Sequence, residues 1–286
     1  MFWFSLFFLL AWFVGPSPAL ADDEIRIKRS IAYTEENKGG RLLADVYLPS
    51  TDEPHPTLLM IHGGAWFSGN KANVAYHASF AAEHGYAVVA INYRLAPRHK
   101  FPAQVEDCRK ALTWIHENAD EYQFDKQRIG VYGYSAGAHL ASLVGLSSNN
   151  STIEADADDV PKIRAIVAGG TPCEFSWIPD ESKALAYWLG DSREAVPKAY
   201  VSASPIEFVD RNDPPVFLFH GTADRIVPVL SPEKLKQELD DAEIKNELHL
   251  VDDASHMEAF INKTARKKAI QFLDQYLSPM SERTSE

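Results

Sequence analysis

Short runs of consecutive apolar residues recur along the chain and limit what it can fold into. They lie at residues 57–61, 87–92, 129–132, 165–168 and 216–219. Runs of this length are typical of strands covered on both faces, as in a mostly parallel sheet. Helix patterns lie between them, most clearly at residues 104–119 and 136–146. This alternation predicts an α/β fold: an open, doubly wound, mostly parallel sheet with helices on both faces.

The rest of the chain extends this pattern, except for one segment. Further strands are predicted at residues 25–33, 42–48 and 248–251, and further helices at 231–240 and 257–277. Residues 171–213 break the alternation with aromatic residues and prolines, and with one short helix pattern near 183–189. We expect this segment to form a small cap insertion over the carboxyl edge of the sheet, beside a shallow acyl site.

The N-terminal residues are predicted to be a targeting segment. Residues 2–14 are almost entirely apolar and are followed by prolines and Ala19-Leu20-Ala21. A helix needs about 20 residues to cross a bilayer, so this run is too short. It indicates a signal peptide at residues 1–21, a mature α/β domain at 22–286, and a secreted or periplasmic protein. No Lys or Arg precedes the run, which leaves a buried helix or a membrane-surface anchor open.

Charge and cysteine content exclude some classes of function. The formal net charge of −12 disfavours nucleic-acid partners and anionic membranes, and no later segment is long enough to insert stably in a bilayer. Cys108 and Cys173 are the only cysteines. We expect two buried free thiols rather than a disulfide bridge, and no metal site, because neither cysteine has a flanking histidine. The sequence leaves the oligomeric state open.

Gly133-Tyr134-Ser135-Ala136-Gly137 carries the strongest chemical signal. This Gly-x-Ser-x-Gly motif follows the apolar run 129–132 and begins the small-residue helix pattern 136–146. A nucleophilic serine on a sharp strand-to-helix turn needs small neighbours on both sides. The context therefore predicts Ser135 as a nucleophile rather than as an ordinary loop serine.

A second glycine turn lies upstream, where the run 57–61 ends in His62-Gly63-Gly64-Ala65-Trp66. Acyl transfer develops negative charge on oxygen, and backbone N–H groups held in place can stabilise it. We predict the amides of Gly63, Gly64 and Ala136 as the oxyanion hole. His62 is expected to hold the loop in place.

A serine nucleophile also needs a base and a carboxylate that orients the base. In this type of fold the chain order is serine, acid, histidine. Asp224 follows the run 216–219, and His256 follows the predicted strand 248–251. We predict Ser135, Asp224 and His256 as the catalytic triad. The rival acids Asp252 and Asp253 lie too near His256 in sequence, and His220 and His249 are expected to be packed structural residues.

Several motifs together resemble the esterase branch of the α/β-hydrolase superfamily. They are His62-Gly63-Gly64-Ala65-Trp66, Asn92-Tyr93-Arg94-Leu95-Ala96-Pro97, Phe101-Pro102-Ala103-Gln104, the elbow around Ser135, Ala203-Ser204-Pro205 and His220-Gly221-Thr222-Ala223-Asp224. That branch includes the hormone-sensitive-lipase-like carboxylesterases, the feruloyl and acetylxylan esterases, and the arylformamidases. Ala65 stands where many relatives have a third glycine, and Arg98 where relatives often have Glu.

The resemblance implies an α/β-hydrolase fold and a carboxylic ester hydrolase without cofactor or metal. Its substrate would be a small-molecule or polysaccharide ester with a short-chain or aryl acyl group, including acetyl or feruloyl groups. An arylformamidase or another amide hydrolase with the same triad stays open, as does a non-catalytic binding protein. Trp66 and Phe67 are predicted to bind substrate, with burial in the core as the alternative for both. Arg94 and Asp107 are expected to form a structural ion pair.

Overall fold

The computed structural model describes residues 25–35, 42–147, 161–175 and 182–278. The predicted signal peptide at residues 1–21 lies outside these residues and stays a prediction. The strands of the described part are β1 (Arg26–Ala32), β2 (Leu43–Leu48), β3 (His55–Ile61), β4 (Ala87–Ile91), β5 (Phe124–Tyr134), β6 (Ile163–Gly169), β7 (Val216–Gly221) and β8 (Asn246–Val251). All of the predicted strands are therefore present, and β5 begins five residues before its apolar run.

The helices of the described part follow the strands in alternation. They are α1 (Ala75–Glu83), α2 (Ala103–Glu117), α3 (Ala119–Tyr122), α4 (Ala136–Leu146), α5 (Lys183–Leu189), α6 (Pro197–Ser202), α7 (Leu230–Asp241), α8 (His256–Phe260) and α9 (Lys263–Leu277), with 3₁₀ turns at Lys71–Val74 and Pro205–Phe208. None of these helices combines the length and the apolar composition that crossing a bilayer requires.

The described strands form one sheet in the order β1-β2-β4-β3-β5-β6-β7-β8. β2 pairs antiparallel with β1 and with β4, and the pairs from β4 to β8 are parallel. The sheet is therefore mostly parallel, as predicted. Parallel strands end at the same edge, so the loops after β3, β5, β6, β7 and β8 meet at one side of the molecule.

Two apolar cores cover the two faces of the sheet. Alternate residues of a strand point to opposite faces, so Leu59 and Val131 lie in one core while Leu58 and Tyr132 lie in the other. The first core includes residues of α2, α4 and α7, and the second includes residues of α1 and α9. This arrangement confirms the predicted doubly wound fold with helices on both faces.

The prediction of one C-terminal helix at residues 257–277 is wrong. The chain forms α8, breaks at Ile261-Asn262 and starts again as α9. The Asn262 side chain accepts a hydrogen bond from the Ala265 backbone N–H at 2.9 Å. An asparagine in this position competes with the helix backbone and starts a new helix, which an apolar stripe alone does not reveal.

The insertion holds more regular structure than its sequence indicates. Its described residues are 171–175 and 182–213, and the second stretch forms α5 where predicted, and also α6 and the 3₁₀ turn Pro205–Phe208. Both additional elements begin with proline, which suits the first turn of a helix because its missing N–H is not needed there. Cys108 and Cys173 are buried with free thiols.

Candidate active site

Ser135 lies on a strained turn between β5 and α4. Its backbone has φ 55° and ψ −125°, a conformation that costs a residue with a side chain about 1–3 kcal/mol. A side chain at Gly133 would overlap the carbonyl of Gly137, and one at Gly137 would overlap the carbonyl of Ile61. The two glycines of the motif are therefore required by close backbone packing, as the sequence predicted.

The glycine turn after β3 packs directly against this elbow. A side chain at Gly63 would lie 2.9 Å from the Tyr134 carbonyl and 3.3 Å from Ser135 Cβ. The two loops can approach each other this closely because residue 63 has no side chain. The structure thus brings the predicted oxyanion loop next to the predicted nucleophile.

Hydrogen bonds fix the direction of the peptide groups in this loop. The Gly63 carbonyl accepts from His62 Nδ1 at 2.7 Å, and the Gly64 carbonyl accepts from the backbone N–H and the hydroxyl of Ser68 at 3.0 and 2.9 Å. A planar trans peptide directs its N–H opposite to its carbonyl. The N–H of Gly64 therefore faces away from His62, and that of Ala65 faces away from the turn, which makes Ala65 a further candidate donor.

Ala136 supplies the third predicted amide. It is the first residue of α4, and His139 N–H donates to the Ser135 carbonyl at 2.9 Å. The first amides of an α-helix have no partner within the helix and carry its partial positive charge. The amide of Ala136 is therefore suited to an anionic oxygen beside Ser135.

His62 is a structural residue, as predicted. Its ring is fully buried, stacks on Tyr93 at a centroid distance of 4.2 Å, and holds the Gly63 carbonyl. Burial lowers the pKa of His62 to about 4, so the imidazole is neutral near pH 7. The Tyr93 hydroxyl donates to the His62 carbonyl at 3.0 Å.

Asp224 and His256 form a short hydrogen bond. His256 Nδ1 lies 2.6 Å from Asp224 Oδ2. The other carboxylate oxygen accepts from the backbone N–H groups of Ile226 and Val227 at 2.8 and 2.9 Å. Burial opposes ionisation of this carboxyl group most strongly, but hydrogen bonds from His220, His256 and the two amides outweigh it and hold the pKa of Asp224 well below its usual value.

Asp252 and Asp253, the rival acids, are not the partners of His256 Nδ1, because the hydrogen bond of this nitrogen goes to Asp224. His220 is fully buried, as predicted, and its Nε2 lies 2.8 Å from the Val227 carbonyl and 3.2 Å from Asp224 Oδ2. It thus supports the carboxylate, a contact that its sequence position did not reveal. His249, by contrast, is only half-buried and lies 3.3 Å from Lys268 Nζ.

Two contacts bring the imidazole of His256 to the elbow. The Tyr134 hydroxyl donates to the His256 carbonyl, and the two rings lie 5.0 Å apart. A side chain at Gly170 would lie 3.0 Å from His256 Cε1, and Gly169, its neighbour, accepts from Ser135 N–H at 2.8 Å. Nδ1–H donates to Asp224, so the neutral ring has an accepting Nε2.

The two predicted substrate-binding aromatics lie in different environments. Trp66 is 5% exposed and stacks on Trp188 with ring centroids 4.0 Å apart and planes at 4°. Its indole N–H donates to His139 Nδ1 at 3.2 Å. Phe67 is 45% exposed. Trp66 is thus a core aromatic beneath the loop, and substrate contact stays a prediction for both, with Phe67 the better placed.

Arg94 and Asp107 form the expected ion pair. Arg94 Nε lies 2.9 Å from both Asp107 oxygens, and the Arg94 backbone N–H donates to the same carboxylate at 2.8 Å. The Asp107 side chain is fully buried. The pair ties the loop after β4 to α2 and lies in the structural framework of the site.

A cavity of about 430 Å³ opens beside His256. Its lining includes Arg225, Ile226 and Met257, and the last two are 70% and 57% exposed. The loops after β7 and β8 form it, so it lies on the histidine side of the candidate triad.

Known proteins share both the sequence and the architecture of this chain. The BD-FAE family model matches residues 44–239. Esterase LipC of Mycobacterium tuberculosis is 31% identical over 186 residues, which make up 62% of this chain and 46% of LipC. The chain therefore spans about half the length of this relative.

Two solved structures superpose over nearly the whole chain. A truncated carbohydrate esterase from gut microbiota gives a TM-score of 0.78 at 24% identity and covers 95% of this chain and 100% of its own. Esterase Est2 of the planctomycete Thermogutta terrifontis gives 0.74 at 24% identity and covers 92% and 98%. These likenesses show the α/β-hydrolase fold. Since the family model covers more than half of its residues, the chain belongs to the BD-FAE family.

Proposed function

We propose that this protein is a carboxylic ester hydrolase that works through an acyl-enzyme on Ser135. The observation that carries the proposal is the 2.6 Å bond between Asp224 and His256, held beside the strained elbow of Ser135. An imidazole that is oriented by a carboxylate and lies next to a serine on a tight turn is the arrangement that converts a weak nucleophile into a strong one. The hydrogen bond from the Ser135 hydroxyl to His256 Nε2 is the contact that the proposal adds.

The reaction proceeds in two halves. Ser135 Oγ attacks the ester carbonyl while His256 Nε2 accepts its proton, and Asp224 stabilises the resulting imidazolium. The amides of Gly63, Gly64 and Ala136 hold the oxyanion of the tetrahedral intermediate. The imidazolium then protonates the departing alcohol. In the second half the same nitrogen deprotonates a water molecule that attacks the acyl carbon, and His256 returns this proton to Ser135 Oγ as the acid leaves.

The cavity of about 430 Å³ beside His256 has room for the alcohol part of an ester substrate. His256 protonates the leaving oxygen, so the leaving alcohol must depart on the histidine side of the site. The acyl group is proposed to be short or aromatic, including acetyl or feruloyl groups on polysaccharide. LipC is named an esterase, and the structurally similar protein from gut microbiota is named a carbohydrate esterase. These names favour esters over amides as substrates.

Hydrolysis of p-nitrophenyl acetate tests the proposal. Ser135→Ala is expected to lower kcat by roughly 10⁴-fold or more, because it removes the nucleophile. Ser142→Ala is the matched control, since Ser142 is a buried serine of α4, the helix that begins directly after Ser135, and lies about two helical turns beyond it. A fluorophosphonate probe should label the wild type and the Ser142→Ala variant but not the Ser135→Ala variant.

Equal rates for the wild type and Ser135→Ala would refute the assignment of the nucleophile. To compare esters with amides, the wild-type enzyme should also be assayed on acetylated xylan and on N-formylkynurenine. Faster hydrolysis of N-formylkynurenine would favour the amide hydrolase that the same triad could equally serve.

A further inference from the structure

A buried histidine outside the proposed triad connects three parts of the molecule. His139 lies one turn after the nucleophile in α4 and is fully buried. Its Nδ1 accepts from the Trp66 indole N–H at 3.2 Å, and its Nε2 lies 2.6 Å from the Ala203 carbonyl. Trp66 follows the oxyanion loop, and Ala203 is the C-cap residue directly after α6 of the insertion.

The two hydrogen bonds require a single form of the imidazole. An indole N–H only donates, so Nδ1 must be the accepting nitrogen, and Nε2 must carry the hydrogen that it donates to the carbonyl. Burial lowers the pKa of His139 to about 3, which keeps the ring neutral, and the two hydrogen bonds select this tautomer. Both nitrogens are therefore used.

The indole of Trp66 is held from its other sides as well. Its ring stacks on Trp188 of α5 at 4.0 Å, and Trp188 Nε1 donates to Gln104 Oε1 at 3.0 Å. The Trp66 carbonyl accepts from Ala96 N–H at 3.0 Å. Trp66 and its neighbour Ala65 have φ values of 65° and 51°, which residues with side chains rarely adopt, so surrounding contacts must maintain this backbone.

We propose that His139 is a positioning residue: through Trp66 it holds the oxyanion loop against α4 and the insertion, and thereby sets where the loop amides meet the developing charge. The inference rests on the proposed ester hydrolase function. Displacement of the oxyanion loop weakens stabilisation of the transition state more than it weakens binding of the substrate. Loss of the hydrogen bond between Trp66 and His139 should therefore lower kcat rather than raise KM.

Two substitutions separate the two bonds of the histidine. In His139→Asn the side-chain oxygen can take the place of Nδ1 and accept from Trp66. In His139→Gln the amide nitrogen can take the place of Nε2 and donate to Ala203, but the indole N–H loses its acceptor. Trp66→Phe removes the indole donor and keeps an aromatic ring for the stack on Trp188.

His139→Gln and Trp66→Phe are each expected to lower kcat about tenfold, the equivalent of one buried hydrogen bond, with KM within about threefold of the wild type. The double variant should be no slower than the slower single variant, because both remove the same contact. His139→Asn should retain kcat within about threefold. Affinity for a trifluoromethyl ketone, whose adduct places an oxyanion in the hole, should fall in parallel with kcat/KM.

His55→Asn is the control for general destabilisation. His55 is 6% exposed and is the first residue of β3, far from the carboxyl edge, and its ring forms a hydrogen bond with Thr51. The His55→Asn substitution should lower the thermal unfolding temperature and leave kcat unchanged. The inference would be overturned if His139→Gln kept the kcat and the ketone affinity of the wild type. It would also be overturned if His139→Asn or His55→Asn lost as much kcat as His139→Gln. None of these results would affect the proposed function. Absence of hydrolysis and of fluorophosphonate labelling in the wild type would overturn the proposed function and the inference with it.

Discussion

Replacement of Asp224 by Asn is expected to disable His256 while the surrounding loop stays folded. Oδ1 of Asp224 accepts from the N–H groups of Ile226 and Val227, and an amide oxygen can accept the same two bonds. The amide nitrogen then takes the place of Oδ2, 2.6 Å from His256 Nδ1. Two donors cannot share this contact, so the imidazole must move its hydrogen to Nε2, where it can no longer accept the proton of Ser135.

The magnitude follows from the loss of the correct tautomer. The same substitution in a Ser-His-Asp triad of known mechanism lowers kcat by about 10⁴, which corresponds to about 5.4 kcal/mol of transition-state stabilisation at 1.36 kcal/mol per tenfold. Stability should also fall near neutral pH. The pKa of Asp224 is lowered in the folded protein, so its carboxylate stabilises the fold above the unfolded pKa of about 3.9, and this contribution is lost as the pH falls through the folded pKa.

The assay is steady-state hydrolysis of p-nitrophenyl acetate by the wild type, Asp224→Asn, Asp252→Asn and Asp253→Asn. The last two replace the rival acids that precede His256 by four and three residues, and both variants should remain within a few-fold of the wild type. A kcat for Asp224→Asn within tenfold of the wild type would refute the tautomer argument. A loss in Asp253→Asn as large as that in Asp224→Asn would refute the choice of acid.

Two further substitutions test the elbow and a buried carboxyl group. Gly137→Ala should lower both the unfolding temperature and kcat, because its side chain would overlap the Ile61 carbonyl. Overpacking costs about 1–3 kcal/mol of stability, whereas helix propensity alone predicts a gain of up to about 1 kcal/mol. A rise in the unfolding temperature would therefore contradict the overlap. Burial and the Asp210 charge raise the pKa of Asp213 to about 7 against a backbone hydrogen bond. The folded state therefore binds its proton more tightly, and the stability this provides, complete below about pH 4, is lost as the pH rises to 7. Asp213→Asn should raise the unfolding temperature, relative to the wild type, more at pH 8 than at pH 5; an equal difference at both would contradict the shift.

Local sequence was sufficient wherever one short segment decides its own conformation. The helix 136–146 and its elbow could be predicted with their bounds, because the glycines of the motif and the apolar run before it lie within a few residues. Asn262 shows the opposite case. Its side chain stops one helix and starts another, although the apolar stripe continues through it and predicts a single helix.

The fold class, the serine turn, and the order in which serine, acid and histidine follow buried strands could all be read from the amino-acid sequence. These features depend on residue spacing along one segment or on the direction of parallel strands. Two features became visible only in the folded molecule: Trp66 packs in the core against Trp188 and His139, and both His220 and His256 contact the Asp224 carboxylate. These contacts of Trp66 and the bond from His256 to Asp224 join residues at least 32 positions apart. His220 is only four residues from Asp224, but the direction of its ring depends on the packing around β7, which no local pattern encodes.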